Sequence, residues 1–226
     1  EKCEQSGLMF KTLPGIGELI DGKVTVNAIR DVSYKDLLRR DLVRLEEDRI
    51  GGCIENKQIL VTGAGGSIGS ELCRHICRFK PESIILFDQA ESPLYDIDLE
   101  LRRKFPYVNI IPVLGDIRNR SRLEYTFSRF KPRIVFHAAA YKHVPMLELQ
   151  PWEAILNNVL GTQNVVSFAR AYAVERFVLV STDKAVRPAN IMGATKRIAE
   201  LMVLGQNSAK QAKSRFIAVR FGNVAG

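Results

Sequence analysis

The stretch Lys57-Gln58-Ile59-Leu60-Val61-Thr62-Gly63-Ala64-Gly65-Gly66-Ser67-Ile68-Gly69 decides how this chain is read. Ile59-Leu60-Val61 is an apolar run of strand length, and residues 67–79 fit a helix. Between them lies a glycine-rich turn. Working outward, the same strand-then-helix unit recurs. Ile84-Ile85-Leu86-Phe87 precedes a helix over 91–104, and Asn109-Ile110-Ile111-Pro112-Val113 precedes one over 119–130. Ile134-Val135-Phe136-His137 leads into a long helical stretch from about 151 to 172. Phe177–Val180 leads into a helix near 191–206, and Phe216–Val219 is a sixth strand. Continuously apolar strands imply that both sheet faces are covered. The repetition predicts an α/β fold, a doubly wound parallel sheet of Rossmann-like type with right-handed crossovers.

Residues 1–56 read differently. Leu13-Pro14-Gly15-Ile16-Gly17 is turn-rich, and Val24, Val26 and Ile29 suggest a short extended piece. Ser33 reads as an N-cap, with Asp36 in the first turn of a helix carrying Leu37, Leu38, Leu42 and Leu45. Gly51-Gly52 closes the region. The expected organisation is a linker or docking arm over 1–56 and a nucleotide-binding domain over 57–226.

Composition narrows the class. Of 226 residues, 46% are hydrophobic and 26% charged, which excludes a disordered chain. No apolar run approaches the ~18–20 residues of a membrane span. The first residues lack the layout of a signal peptide. A cytoplasmic protein with no span in this chain is therefore expected. The net charge of +8 attracts phosphorylated ligands, nucleic acid or anionic lipid without distinguishing them. No zinc finger, RNA-recognition motif or aromatic-studded basic stripe supports nucleic acid. Cys3, Cys53, Cys73 and Cys77 read as free thiols. Cys73 and Cys77 lie four apart, but no nearby His or second Cys pair completes a metal site, so no metal is expected.

The glycine turn has the context of a dinucleotide fingerprint, because it follows a strand and opens a helix. Gly63 permits the sharp turn. Gly65 or Gly66 lets the backbone approach a pyrophosphate, and Gly69 lets the helix pack close. The first amides of that helix, around Ser67 and Ile68, can hold phosphate. The spacing fits G-x-x-G-x-x-G at 63, 66 and 69. Asp88 ends the second strand, 19 residues after Gly69. A carboxylate there accepts ribose hydroxyls and repels a 2′-phosphate, favouring NAD over NADP. Asp116 and Ile117 follow the third strand, where such folds contact adenine. Ala138, Ala139 and Ala140 follow the fourth and leave room for the nicotinamide half.

Three further stretches lie at carboxyl ends of strands or just beyond: His137 through Pro145, Ser181-Thr182-Asp183-Lys184, and Met192-Gly193-Ala194-Thr195-Lys196. Together with Thr62 through Leu72 and Asn157-Asn158-Val159-Leu160-Gly161-Thr162, they resemble the extended short-chain dehydrogenases of bacterial polysaccharide biosynthesis, specifically UDP-N-acetylglucosamine 4,6-dehydratases. The resemblance spans residues 57–226, and residues 13–45 resemble the connector of the large, membrane-anchored members. It implies a hydro-lyase that oxidises the sugar at C4 with NAD, removes the C5 proton, expels the 6-hydroxyl as water and reduces C6.

Lys196 matches the lysine that binds the nicotinamide ribose. The tyrosine usual four residues earlier is Met192, whose thioether cannot take a proton. The resemblance therefore moves acid–base work onto three residues. Asp183 protonates the leaving 6-hydroxyl, Lys184 takes the C5 proton, and Thr182 helps handle the 4-hydroxyl proton. Lys142, His143, Asn158 and Asn223 are the expected contacts to a UDP-sugar. Some of these residues also have purely structural readings: His143 as a core or loop histidine, Asn158 as a buried bridging amide, Asp183 and Lys184 as a loop ion pair. A homo-oligomer is expected, as is a substrate subdomain continuing past Gly226. Two other functions stay open, a nucleotide-sugar 4-epimerase of the same fold and a catalytically silent NAD-binding module. The missing tyrosine speaks against the first and keeps the second alive.

Overall fold

The computed structural model describes residues 47–208 and 214–222, together with 11–12 and 30–31. The chain divides into two compact units, Glu1–Glu46 and Glu47–Gly226. In the first, β1 (Lys11–Thr12) pairs antiparallel with β2 (Arg30–Asp31). The turn at 13–17, the extended piece at 24–29 and the helix after Ser33 lie outside the described residues.

The second unit opens with α1 (Glu47–Ile54). The pair Gly51-Gly52 thus sits inside a helix of the second unit. Ile50, Cys53 and Ile54 pack into the apolar cluster on one sheet face, and that burial outweighs the poor helix propensity of two glycines. Then follow β3 (Gln58–Thr62), α2 (Ser67–Arg78), β4 (Ser83–Asp88), α3 (Glu91–Lys104), β5 (Asn109–Leu114), α4 (Arg120–Phe130) and β6 (Ile134–His137). A short α5 (Val144–Leu149) precedes α6 (Pro151–Ala154), which runs through a π-helical segment (Ile155–Gly161) into α7 (Thr162–Ala171). Next come β7 (Arg176–Thr182), a 3₁₀ turn (Asp183–Ala185), α8 (Ile191–Gly205) and β8 (Arg215–Phe221). None of the described helices is long and apolar enough to cross a membrane.

The sheet is wholly parallel, in the order β5-β4-β3-β6-β7-β8. Chain order runs outward from β3 to β5 on one side, then jumps back to β6 on the other. The carboxyl ends of β3 and β6 therefore flank the switch point where such sheets bind ligands. The two faces bury different residues of the same strand. Leu60, Ile85, Val135 and Phe177 pack with Leu123, Phe127, Val165 and Val203 from α4, α7 and α8. Ile59, Val61, Ile84 and Leu86 pack with Cys73, Ile76, Leu94 and Leu101 from α2 and α3. Two-sided burial is the reason the central strands read as unbroken apolar runs. Toward the edge strand β8 the covering thins, and Ile217 and Val219 are exposed.

Candidate active site

The glycine turn is built around close backbone contacts. Gly63 has φ +71°, a left-handed conformation that favours glycine, and a Cβ there would lie 2.6 Å from the Ala139 nitrogen. At Gly69 a Cβ would lie 1.9 Å from the Gly63 carbonyl oxygen, so the first turn of α2 can approach β3 only with a bare backbone. Gly66 occupies the N-cap of α2 and offers no side-chain cap. The orphan amides at this end, with the helix dipole behind them, are suited to an anion.

Asp88 does two jobs at the end of β4. Its Oδ2 accepts the Gly65 N–H and its Oδ1 the Ala90 N–H, both at 2.9 Å. The carboxylate expected to meet a ribose is thereby already anchored to the turn that would meet the phosphates. Two adjoining cavities follow the switch point and share Gly63, Gly66, Ala138, Ala140 and Tyr141. The smaller, about 210 Å³, is lined by Asp88, Ile117 and Ala139. The larger, about 510 Å³, is lined by Ser67, Ile68, Gly69, Lys142 and His143. Thus the glycine turn, Asp88, Ile117, Ala138 to Ala140, Lys142 and His143 converge on one crevice.

Asp116 takes a different part. Its Oδ1 accepts the Arg118 N–H at 2.8 Å, and its Oδ2 accepts Arg118 Nε at 2.8 Å and a terminal guanidinium nitrogen at 2.6 Å. Arg118 in turn reaches Glu153 of α6 at 3.2 Å. Burial raises the Asp116 carboxyl, but the Arg118 bonds win and hold it below its ordinary value. Asp116 shapes the rim through Arg118.

Asn158 takes the bridging position that was one of its two readings. It is buried, and its Oδ1 accepts the Tyr141 N–H at 2.8 Å while its Nδ2 donates to the Tyr141 carbonyl at 3.0 Å and to Thr195 Oγ1 at 3.2 Å. With its donors and acceptor engaged by the protein, this amide bridges the loop after β6 to α8. The π-helical segment makes this possible, because it carries Asn157 and Asn158, both buried. Asn223 lies outside the described residues.

A buried polar chain that the sequence reading assigned no role runs beneath the crevice. His137 Nδ1 lies 2.6 Å from Thr62 Oγ1, and its Nε2 lies 2.9 Å from Thr162 Oγ1. Burial, with the positive charge of Lys196, pushes the imidazole down to about 3, so it is neutral. The only available sign was a histidine and a threonine, each ending an apolar strand run.

Thr182, Asp183 and Lys184 stand at the end of β7, two strands from β3. Thr182 Oγ1 donates to Asp183 Oδ1 at 2.9 Å, and Lys184 Nζ reaches the same oxygen at 3.3 Å. The Thr182 hydroxyl, then Lys184, hold the Asp183 carboxyl below the usual carboxylate range. Gly193, in the first turn of α8, abuts this group: a Cβ there would lie 2.5 Å from the Lys184 carbonyl oxygen. Met192 and Lys196 are both buried on the same face of α8. Burial brings the Lys196 ammonium down to about 8, partly offset by Glu200 one turn on. Glu200, also unassigned in the sequence reading, is buried and accepts from Ser181 at 2.7 Å, from Arg220 and from Arg197. Burial raises its carboxyl, but the bonds from Arg220, Ser181 and Arg197 prevail and hold it at about 2. Among the described residues no group of His, Cys, Asp or Glu could hold a metal ion.

A parallel sheet with a glycine turn at its switch point, and a Thr-Asp-Lys turn set against a Met-x-x-x-Lys helix, defines a Rossmann-type domain of the extended short-chain dehydrogenase class. Within that class the chain belongs to the polysaccharide biosynthesis protein family, whose model matches residues 59–226. It is 46% identical over 225 residues to the capsular polysaccharide biosynthesis protein CapD of Staphylococcus aureus, covering 99% of this chain and 37% of that protein. It is 36% identical over 172 residues to a UDP-N-acetylglucosamine 4,6-dehydratase (inverting) of Campylobacter jejuni, covering 75% of this chain and 50% of that one. A UDP-glucose 4-epimerase of Rickettsia rickettsii matches at 34% over 177 residues, 75% of this chain and 49% of that one. Among solved structures, Pen from Bacillus thuringiensis is similar with a TM-score of 0.70 and 37% identity, over 76% of this chain and 54% of that one. The chain thus spans between about a third and a half of the length of these curated relatives.

Proposed function

We propose that this chain carries the NAD site and the acid–base residues of a nucleotide-sugar 4,6-dehydratase acting on UDP-N-acetylglucosamine. The observation that carries the reading is the juxtaposition at the carboxyl end of β7. Thr182, Asp183 and Lys184 are hydrogen-bonded to one another, and the first turn of α8 packed on them presents Met192 where a proton-handling tyrosine would otherwise stand.

The cradle fits the dinucleotide. Gly63 and Gly69 leave no room for a Cβ, the start of α2 is uncapped by any side chain, and Asp88, bonded to the Gly65 amide, supports the reading with a carboxylate for a ribose. When bound, NAD supplies the oxidant for C4 of the sugar and the reductant for C6. The chain's own residues do the rest. Lys196 holds the nicotinamide ribose, and Lys142 and His143 meet the UDP-sugar. Thr182 handles the 4-hydroxyl proton, Lys184 takes the proton from C5, and Asp183 protonates the departing 6-hydroxyl. The product is the 4-keto-6-deoxy sugar nucleotide, with the cofactor unchanged at the end.

The relatives support a sugar-nucleotide substrate, but dehydratase and epimerase names occur at similar identity. The choice between them rests on Met192, because a thioether cannot take the 4-hydroxyl proton as a tyrosine does. Incubation with UDP-N-acetylglucosamine, followed by mass spectrometry, tests the reading. Loss of one water supports it. Conversion to a 4-epimer of unchanged mass, or NAD binding with no conversion, overturns it.

A further inference from the structure

Glu200 is a buried charge that the proposed chemistry does not use. Its side chain is fully enclosed. Oε1 accepts the Ser181 hydroxyl and the Arg220 Nε–H, both at 2.7 Å. Oε2 accepts a terminal N–H of the same guanidinium at 2.5 Å and one from Arg197 at 3.1 Å. These bonds fill a carboxylate's accepting capacity, and the Arg220 fork favours its ionised form. Ser181 and Arg220 are cross-strand partners, so Glu200 of α8 grips β7 and β8 at one rung. Its negative charge is therefore fixed in place as well as in sign.

Lys196 lies one helical turn before Glu200, at the i, i+4 spacing of side-chain neighbours. It is 6% exposed and makes no hydrogen bond or ion pair among the described residues. A buried ammonium without contacts is unfavourable unless a counter-charge stands nearby. The surrounding elements do not supply one. His137 of β6 is neutral, and Tyr141, which packs on the Met192 cluster, offers a hydroxyl rather than a carboxylate. Asp183 is engaged by Thr182 and Lys184, and Glu148 of α5 by the Ile191 N–H. Lys184, Arg197 and Arg220 carry the same sign as Lys196. Glu200 alone raises the Lys196 ammonium against the effect of burial.

We propose that Glu200 is a positioning residue of the cofactor site, the internal counter-charge that holds Lys196 as an ammonium against the nicotinamide ribose. The inference rests on the NAD reading, in which Lys196 binds that ribose. An ammonium gives charge-assisted bonds to the ribose hydroxyls, roughly twice as strong as those of a neutral amine. Without the Glu200 charge, Arg197 and Arg220 stand uncompensated close to Lys196 and favour loss of its proton.

Calorimetric titration with NAD across a range of pH tests this without turnover. Wild-type affinity should fall as pH rises through about 8, where Lys196 loses its proton, and Lys196→Met should abolish the step. Glu200→Gln should move the step down by about one pH unit or more, whereas Glu200→Asp, which keeps the charge, should stay within about half a unit of wild type. A merely structural role predicts the opposite, because a loosened site admits water and moves the step up. Should Glu200→Gln not fold, two milder variants decide. Arg197→Gln removes a half-exposed positive neighbour and should move the step up, while Ser181→Ala removes a bond but no charge and should leave it in place. A Glu200→Gln step that stays or rises overturns the counter-charge, as does an Arg197→Gln step that does not rise or a Ser181→Ala step that shifts. A wild-type chain that binds NAD without the step, or not at all, overturns the reading of Lys196 and this inference with it.

Discussion

His137 and Thr162 are joined by a hydrogen bond of 2.9 Å that admits one direction only. The Thr162 hydroxyl gives its proton to the Asn158 carbonyl at 2.7 Å, so Thr162 must accept from the imidazole Nε2–H. Nδ1 is then left as acceptor for the Thr62 hydroxyl at 2.6 Å. The tautomer is thereby specified, and β3, β6 and α7 are tied together just beneath the crevice.

That geometry predicts an acid-labile fold. A neutral His137 near 3 binds fewer protons than the unfolded histidine, whose pKa is about 6.5. Stability is therefore fully present above about pH 6.5 and falls as pH drops toward 3, by up to ~1.4 kcal/mol per pH unit. Glu200, held at about 2, pushes the same way below its unfolded value. Urea midpoints from pH 8 to 4 for wild type and His137→Gln isolate the histidine. The variant should show the shallower slope, and parallel slopes would reject the buried neutral imidazole.

Glycines should separate by what surrounds them. Gly69→Ala forces a Cβ to 1.9 Å from the Gly63 carbonyl and should abolish NAD binding with a large loss of stability. Nothing lies within 4 Å of a Cβ at Gly52, inside α1. Gly52→Ala should therefore raise stability by roughly 0.5–1 kcal/mol. Thermal melts and calorimetric titration with NAD check both.

Asp88→Ala removes the acceptor of two backbone amides as well as the expected ribose contact. NAD affinity should fall about 10- to 100-fold, about 1.4–2.8 kcal/mol. Binding that falls less than threefold in a calorimetric titration would show that the ribose is held elsewhere.

Gly193→Ala places a methyl 2.5 Å from the Lys184 carbonyl and must shift the Asp183–Ala185 turn against α8. Turnover should drop on the order of 100-fold while NAD affinity stays within about threefold, because the displaced group is acid–base machinery. Steady-state kinetics beside a binding titration distinguish this from general unfolding, which would lower both.

The glycine turn, Asp88, the small residues after β6 and the Thr182–Lys184 set were legible because each is local: a short motif next to a strand end. Other features were not, for stated reasons. Gly51-Gly52 reads as a break, yet it is helical because neighbouring Ile50, Cys53 and Ile54 find a core to pack on. Asn158 reads as a polar residue near a site, yet its partners, Tyr141 and Thr195, lie 17 and 37 residues away in sequence.

The order of residues along the chain is enough to give the alternation of strands and helices, and with it a doubly wound sheet whose ligand edge is known in advance. Hydrophobic period and turn chemistry are properties of neighbouring residues, so one dimension suffices to read them. Which polar side chains line the crevice and which are spent on holding it emerges from the packed fold alone. Asp116 is drawn to Arg118, Asn158 spans loop and helix, and His137 is locked neutral between two threonines. Those outcomes depend on burial and on partners distant in the chain, which raise the cost of an unpaired polar group only once the fold has closed around it.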